Sequence, residues 1–264
     1  MAADPADPVR YEVRGGSATL TIDRPDRRNA LNDEVVDGLL AGLERAGSDH
    51  EVRCVVLTGA GDRAFCAGGD LTGTMSPSEA RVQQHGRRGR LGDLLVAVGR
   101  HPLPVVARVN GVALAGGFGL MLACDLAVAA DDVEVGTPET NLGLWPFMIS
   151  AVIARNIPRK IAVEMMLTGR RVPVLEAERW GMVNRVVPRK QLDQTVDQLV
   201  DELSSKSPVA LRLGKESFFR AQDMGFEESL DYLNAMLTVD LQSEDVAEGV
   251  SAFLQKRKPE WRGG

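Results

Sequence analysis

Three short runs constrain the fold of this chain more than any other feature. Cys54 to Thr58 (CVVLT), Val105 to Val109 (VVARV) and Leu126 to Ala130 (LAVAA) are almost entirely apolar, and none alternates apolar with polar residues. A strand with one wet face alternates; a continuous apolar run is buried on both faces and needs helices or a second sheet to cover it. Helical patterns lie between the runs. Asn32 is a good N-cap for a helix reaching about Ala46, with apolar residues at Val35, Val36, Leu39, Leu40 and Leu43. A polar helix-like stretch runs to about Arg100, and Ala115-Gly116-Gly117 opens a helix that reaches Cys124. With a further strand at Ala18 to Ile22, closed by Arg24-Pro25, this rhythm predicts an α/β fold of stacked β-β-α units.

Beyond Pro158 the pattern turns helical. Helices are expected at 159–167, 174–180, 189–204, 208–222 and 226–242, with one strand at 183–187. Ser207-Pro208 is a capping signal with Pro at the first helical position. No low-complexity linker separates the halves, so the expectation is one core with a helical C-terminal part packed on it or on a neighbouring subunit. The 264 residues, 44% hydrophobic but only 5% aromatic, suffice for one large aliphatic core.

A net charge of −6 gives no global field toward nucleic acid or an anionic membrane. Cys54, Cys66 and Cys124 lack metal or disulfide spacing, which fits a reducing compartment. The N-terminus is acidic and Pro-rich, without the regions of a signal peptide, and no apolar stretch is long and clean enough to span a bilayer. A cytoplasmic protein without nucleic-acid, membrane or metal partners is expected.

Two glycine loops follow buried strands: Phe65-Cys66-Ala67-Gly68-Gly69-Asp70-Leu71 and Ala113-Leu114-Ala115-Gly116-Gly117-Phe118-Gly119. Glycine lets backbone approach a ligand closely, and a helix start adds unpaired N–H groups with partial positive charge. Two such N–H groups converging on one oxygen form an oxyanion hole, worth about 3–4 kcal/mol per donor removed. Gly59-Ala60-Gly61-Asp62-Arg63-Ala64 offers a rival reading as a dinucleotide fingerprint. That motif needs a helix starting at its glycines, whereas Ala64 to Gly73 holds three more glycines and no amphipathic run.

Taken in order, the segments resemble the enoyl-CoA hydratase/isomerase (crotonase) family over nearly the whole chain. The resemblance rests on Asp23-Arg24-Pro25, Asn29-Ala30-Leu31-Asn32, the two glycine loops, Val109-Asn110-Gly111, Cys124-Asp125, Thr137-Pro138-Glu139 and Leu142-Gly143-Leu144. Leu167-Thr168-Gly169-Arg170 and the tail Gly249 to Arg257 continue it. It implies a spiral of β-β-α units over 1–200 carrying the coenzyme A and acyl sites. Residues 201–264 become a helical region for trimerisation and active-site closure, in a homotrimer or a dimer of trimers. It also implies an acyl-CoA thioester held with its carbonyl oxygen between the N–H groups of Gly69 and Gly116. Coenzyme A is part of the substrate, and no separate cofactor is expected. Arg24, Arg27 and Arg28, with Ala67, Asp70 and Leu71, map to the coenzyme A loop; Phe253 and Lys256 match tail positions that reach a neighbour's coenzyme A.

Hydratases of the family usually carry two glutamates. The second is present as Glu139, but Gly119 stands at the first position. Adding water across a 2-enoyl thioester moves two protons, which one carboxylate must then handle alone. Moving a double bond from the 3- to the 2-position needs only one carboxylate and the oxyanion hole. Glu139-Thr140-Asn141-Leu142-Gly143-Leu144 with Pro146-Phe147 resembles the family's single-glutamate isomerases, although some members named hydratases share the glycine. Hydration of a 2-enoyl-CoA by Glu139 alone is the leading expectation and 3-enoyl to 2-enoyl isomerisation the alternative. A non-catalytic coenzyme A-binding paralogue is the third.

Burial of Glu139 against Trp145, Phe147 or Met148 would raise its pKa, which suits a base that must also act as an acid. Trp145, Phe147 and Met148 either shape the acyl pocket or belong to the core. Cys66 has no histidine nearby in sequence to activate it and reads as a small core residue. Arg87, Arg88 and Arg90 read as a solvated helix face, with an acidic acyl group as the alternative partner.

Overall fold

A computed structural model describes residues 7–70 and 81–263, with the side chains of all of these except 81–84, 87 and 88. In chain order the strands and helices begin with β1 (Val9–Arg14), β2 (Ser17–Ile22), α1 (Asp33–Ser48), β3 (Cys54–Gly59) and β4 (Ala64–Cys66). There follow α2 (Arg81–Gly99), β5 (Val105–Val109), β6 (Val112–Leu114), α3 (Gly116–Ala123), β7 (Leu126–Ala130), β8 (Glu134–Gly136), α4 (Phe147–Asn156) and α5 (Arg159–Thr168). The chain continues through β9 (Arg171–Pro173), α6 (Val174–Arg179), β10 (Arg185–Val187), α7 (Leu192–Ser204), α8 (Pro208–Ala221), α9 (Phe226–Asp240) and α10 (Glu244–Gln255).

The successive pairs β3/β4, β5/β6 and β7/β8 each contribute one strand to each of two sheets. Their first strands join the hairpin β1–β2 and the late strand β10 in the six-stranded sheet β1-β2-β3-β5-β7-β10, parallel except for that hairpin. Their second strands join β9 in the four-stranded sheet β4-β6-β8-β9, where only β9 runs antiparallel. The buried runs β3, β5 and β7 lie side by side, with Val56 opposite Val106 and Ala107 opposite Ala127. Their branched and small side chains belong to one hydrophobic cluster that also takes Leu39 and Leu43 of α1 and Phe118 and Leu120 of α3.

The expected α1 starts where its cap predicts. The Asn32 side chain accepts a hydrogen bond from the Val35 N–H at 3.0 Å, and Asp33 and Glu34 sit in the positively polarised first turn. The dinucleotide reading fails at the same level, because β3 is followed by the strand β4 rather than a helix. Two buried asparagines hold that connection. Asn29 Nδ2 donates to the carbonyls of Ala60 (3.0 Å) and Ala64 (2.7 Å), and Asn110 Nδ2 to those of Gly59 (2.7 Å) and Gly61 (2.6 Å).

The C-terminal helices are tied to the core by polar contacts. Lys215 on α8 pairs with the largely buried Asp125 at 2.7 Å, and Asp125 also accepts the Val105 N–H at 2.7 Å. Asp245 on α10 accepts hydrogen bonds from Ser207 Oγ and from the backbone N–H groups of Arg262 and Gly263. The helix α9 has no buried residue. No helix among the described residues is long and apolar enough to cross a membrane.

Candidate active site

The two glycine loops meet. A side-chain carbon placed on Gly68 would lie 3.2 Å from the Gly116 nitrogen and 2.7 Å from the Ala115 side chain, and Gly68 has φ +97°. Only glycine fits there without strain, and its fit keeps the loops in contact. The Gly68 carbonyl accepts the Leu31 N–H at 2.8 Å, and the Asp70 N–H donates to the Leu31 carbonyl at 2.8 Å. Gly69 lies between these anchors, exposed, with open space beside its Cα. Gly116 is the first residue of α3, so its N–H is one of the helix's unpaired donors. Among the described residues neither the Gly69 nor the Gly116 N–H has a protein acceptor. Ala115, which leads into α3, is held at φ +52° with its N–H bonded to the Gly136 carbonyl at 2.9 Å. That strained residue turns the chain from β6 into the helix.

The same bond brings Glu139 close in the chain to this point. Gly136 ends β8, beside Leu114 of β6, and a 3-10 turn over Pro138–Leu142 begins two residues later. The turn closes through the Leu144 N–H on the Glu139 carbonyl, and Asn141 Nδ2 fixes it to the Gly169 carbonyl at 3.1 Å. One carboxyl oxygen of Glu139 is buried with no hydrogen-bond partner. Burial pushes the Glu139 carboxyl above its ordinary value, opposed by a bond to its own backbone N–H. A carboxyl group so placed exchanges a proton readily with whatever occupies the space beside it.

Gly119 faces the same way along α3 as Gly116. Its missing side chain is a packing requirement, because a carbon there would lie 2.2 Å from Cγ2 of Ile149 on α4. Leu31 and Leu91 flank Gly116 at ordinary contact distance. Sequence reasoning singled out none of Ile149, Leu91 and the asparagine staples as site residues. Asn29 and Asn110 were legible as short amides beside turns, whereas Ile149 and Leu91 carry no local signal.

The remaining candidates divide. Arg24 is engaged within the chain: it donates to the Ala30 carbonyl at 2.7 Å and to Asp70 at 3.0 Å, clamping the 24–31 turn to the end of the glycine loop. Arg27 and Arg28 are exposed, and among the described residues their side chains make no ion pair. The Arg28 carbonyl accepts the Ala67 N–H at 3.1 Å, which brings Ala67 beside this turn. Leu71 lies outside the described residues, as do the side chains of Arg87 and Arg88; Arg90 pairs with Asp37 of α1. Trp145 is partly buried against the core, Phe147 and Met148 are exposed, and the tip of Met148 fills the space beside Gly92 of α2. Phe253 and Lys256 are exposed at the end of α10. Cys66 is fully buried and its thiol is pushed up to about 12, so it offers no nucleophile. Among the described residues no group of three or more His, Cys, Asp or Glu side chains is placed to hold a metal ion.

Known proteins share this architecture along its whole length. A putative enoyl-CoA hydratase from Thermus thermophilus is 36% identical over 93% of this chain and 97% of its own length. Carnitinyl-CoA dehydratase from Proteus mirabilis is 34% identical over 97% of this chain and 98% of its own. The crystal structure of enoyl-CoA hydratase from Mycobacterium smegmatis superposes with a TM-score of 0.92 at 36% identity, covering 98% of this chain and 99% of that one. The family model for enoyl-CoA hydratase/isomerase matches residues 12–264, and the chain belongs to that family of enzymes acting on acyl-CoA thioesters.

Proposed function

We infer that the chain hydrates a 2-enoyl-CoA, with Gly69 and Gly116 as oxyanion donors and Glu139 as the single acid/base. The buried, unpartnered carboxyl oxygen of Glu139, set three residues after the strand end that binds Ala115, carries this reading. The thioester oxygen accepts both N–H groups, which favours the enolate over the ground state. As water's oxygen bonds to Cβ, the Glu139 carboxylate takes one water proton. It then returns that proton to Cα as the enolate collapses, so one water is added and Glu139 is regenerated. Arg27 and Arg28, exposed and without an ion pair among the described residues, are the cations for the phosphates of coenzyme A, while Arg24, Ala67 and Asp70 shape the loop beneath it. Trp145 walls the acyl side in this reading. Relatives named as a hydratase and a dehydratase support hydration.

One observation favours isomerisation of a 3-enoyl-CoA by the same glutamate: Ile149 fills the space beside Gly119. In that reaction Glu139 takes a proton from Cα and delivers it to Cγ, with no water consumed.

Incubation of wild type and Glu139→Gln with a 2-enoyl-CoA and a 3-enoyl-CoA, followed by absorbance and mass, separates the two. Gain of one water, lost in the variant, is the expected result. Conversion of the 3-enoyl substrate at constant mass establishes the second reading. Coenzyme A binding without conversion of either overturns both.

A further inference from the structure

The contact between α3 and α4 carries an inference about the chemistry of the site, resting on the acid/base reading of Glu139. Gly116 and Gly119 are three residues apart on α3 and share a face. Helical side chains lean toward the helix N-terminus, so a side chain at 119 would lean toward the Gly116 N–H and the thioester bound there. In this chain Ile149 holds that space. A Cβ on Gly119 would stand 2.2 Å from Ile149 Cγ2 and 2.7 Å from Ile149 Cβ, closer than real Cβ atoms approach other side chains.

Ile149 has no easy retreat. It is fully packed within the core, and the preceding residue is keyed in the same way, with Met148 Cε 2.7 Å from the position of a Cβ on Gly92. Two successive residues of α4 thus fit against side-chain-free positions on α2 and α3. We propose that Ile149 is the specificity-determining residue that restricts this site to one carboxylate, and that positions 119 and 149 exchange as a unit.

A second carboxylate at 119 would change the reaction as follows. Its oxygen takes a proton from water while the water oxygen bonds to Cβ. The Glu139 carboxylic acid gives its proton to Cα, and the two carboxyl groups re-equilibrate through solvent. One water is consumed and no other reactant is needed.

The test has a thermal and a kinetic arm. The thermal arm compares Gly119→Ala in the wild-type and Ile149→Ala backgrounds. A methyl forced against Ile149 is expected to lower Tm by about 5 °C or more in the first, and by less than half of that in the second. Equal shifts in both backgrounds overturn the proposal. The kinetic arm compares Gly119→Glu/Ile149→Ala with Ile149→Ala alone, each checked for cooperative melting and coenzyme A binding. Hydration of a 2-enoyl-CoA is expected to rise about tenfold or more in the double variant, and to need Glu139. A folded, coenzyme A-binding double variant without that gain overturns the proposal, as does Gly119→Glu alone gaining equally. Wild-type turnover that is indifferent to Glu139→Gln instead overturns the acid/base reading beneath it, and leaves the thermal arm to decide the packing claim.

Discussion

One carboxyl oxygen of Glu139 is buried without a hydrogen-bond partner, and its pH behaviour should show it. Burial raises its pKa above the 4.5 of an ordinary glutamate. The step that removes a proton needs the carboxylate, so kcat/KM should rise with pH along a limb centred above 4.5. In Glu139→Gln that limb should vanish, with activity down by about a hundredfold or more, as pH–rate profiles of the two proteins would show. The neighbouring glycines make a second prediction. Gly68→Ala places a methyl 2.7 Å from Ala115 at φ +97° and should cost about 1–3 kcal/mol, whereas Gly69→Ala meets nothing within 4 Å and should melt like wild type. Thermal melts of the two variants compare them directly. The convergence of the Gly69 and Gly116 loops was legible in the sequence, as was the turn at Glu139, because each sits in a short contiguous motif. Arg24 and Asp70 were legible as loop residues, but not as partners of each other across 46 positions. The Ile149–Gly119 contact was invisible for the same reason, since only packing brings α4 onto α3.

At the level of elements, apolar runs and caps foretold five of the six strands in the larger sheet and most helices, but not the second sheet. The strands β4, β6, β8 and β9 are three residues each, too short for any periodicity to register, and they exist because neighbouring chain segments align them. The edge strand β1 (VRYEVR) was passed over although it alternates apolar with polar residues, and α4 because Trp145 and Pro146 precede it without a polar cap. Cys124-Asp125 was read as a motif without a role, and the fold supplies one. Burial pushes the Asp125 carboxyl up and Lys215 opposes that shift, while the same carboxylate holds the first N–H of β5. Lys215→Met would leave Asp125 buried without its counter-charge. It should therefore destabilise the fold by about 3–5 kcal/mol, and Lys215→Met/Asp125→Asn should cost less than the sum of the single changes. Urea unfolding of the three variants measures both.

At the scale of the whole molecule, the helices after Ser207 leave apolar surface that one copy does not cover. Along α9 and just beyond it, Phe226, Leu230, Leu233, Leu237 and Leu241 recur at spacings of three or four, one continuous stripe, with Phe226 78% and Leu237 55% exposed. No residue of that helix is buried, so its order within one chain has little hydrophobic support. Phe253, 82% exposed beside Lys256, stands at the end of the next helix, where a ring gains nothing unless another surface meets it. Both facts are accounted for if residues 201–264 pack against neighbouring copies and present Phe253 and Lys256 to a neighbour's coenzyme A. Leu233→Asp/Leu237→Asp should then shift the mass in solution from a multiple of 28.5 kDa toward that value, as sedimentation would show. The same variant should bind coenzyme A more weakly, because the site would lose its neighbour. In that arrangement Lys256→Ala should weaken coenzyme A binding while leaving the assembled mass unchanged, since it would remove a ligand contact and not part of the apolar stripe. A wild type that sediments at the mass of one chain would leave the stripe without an occupant and confine the site to the residues of a single copy.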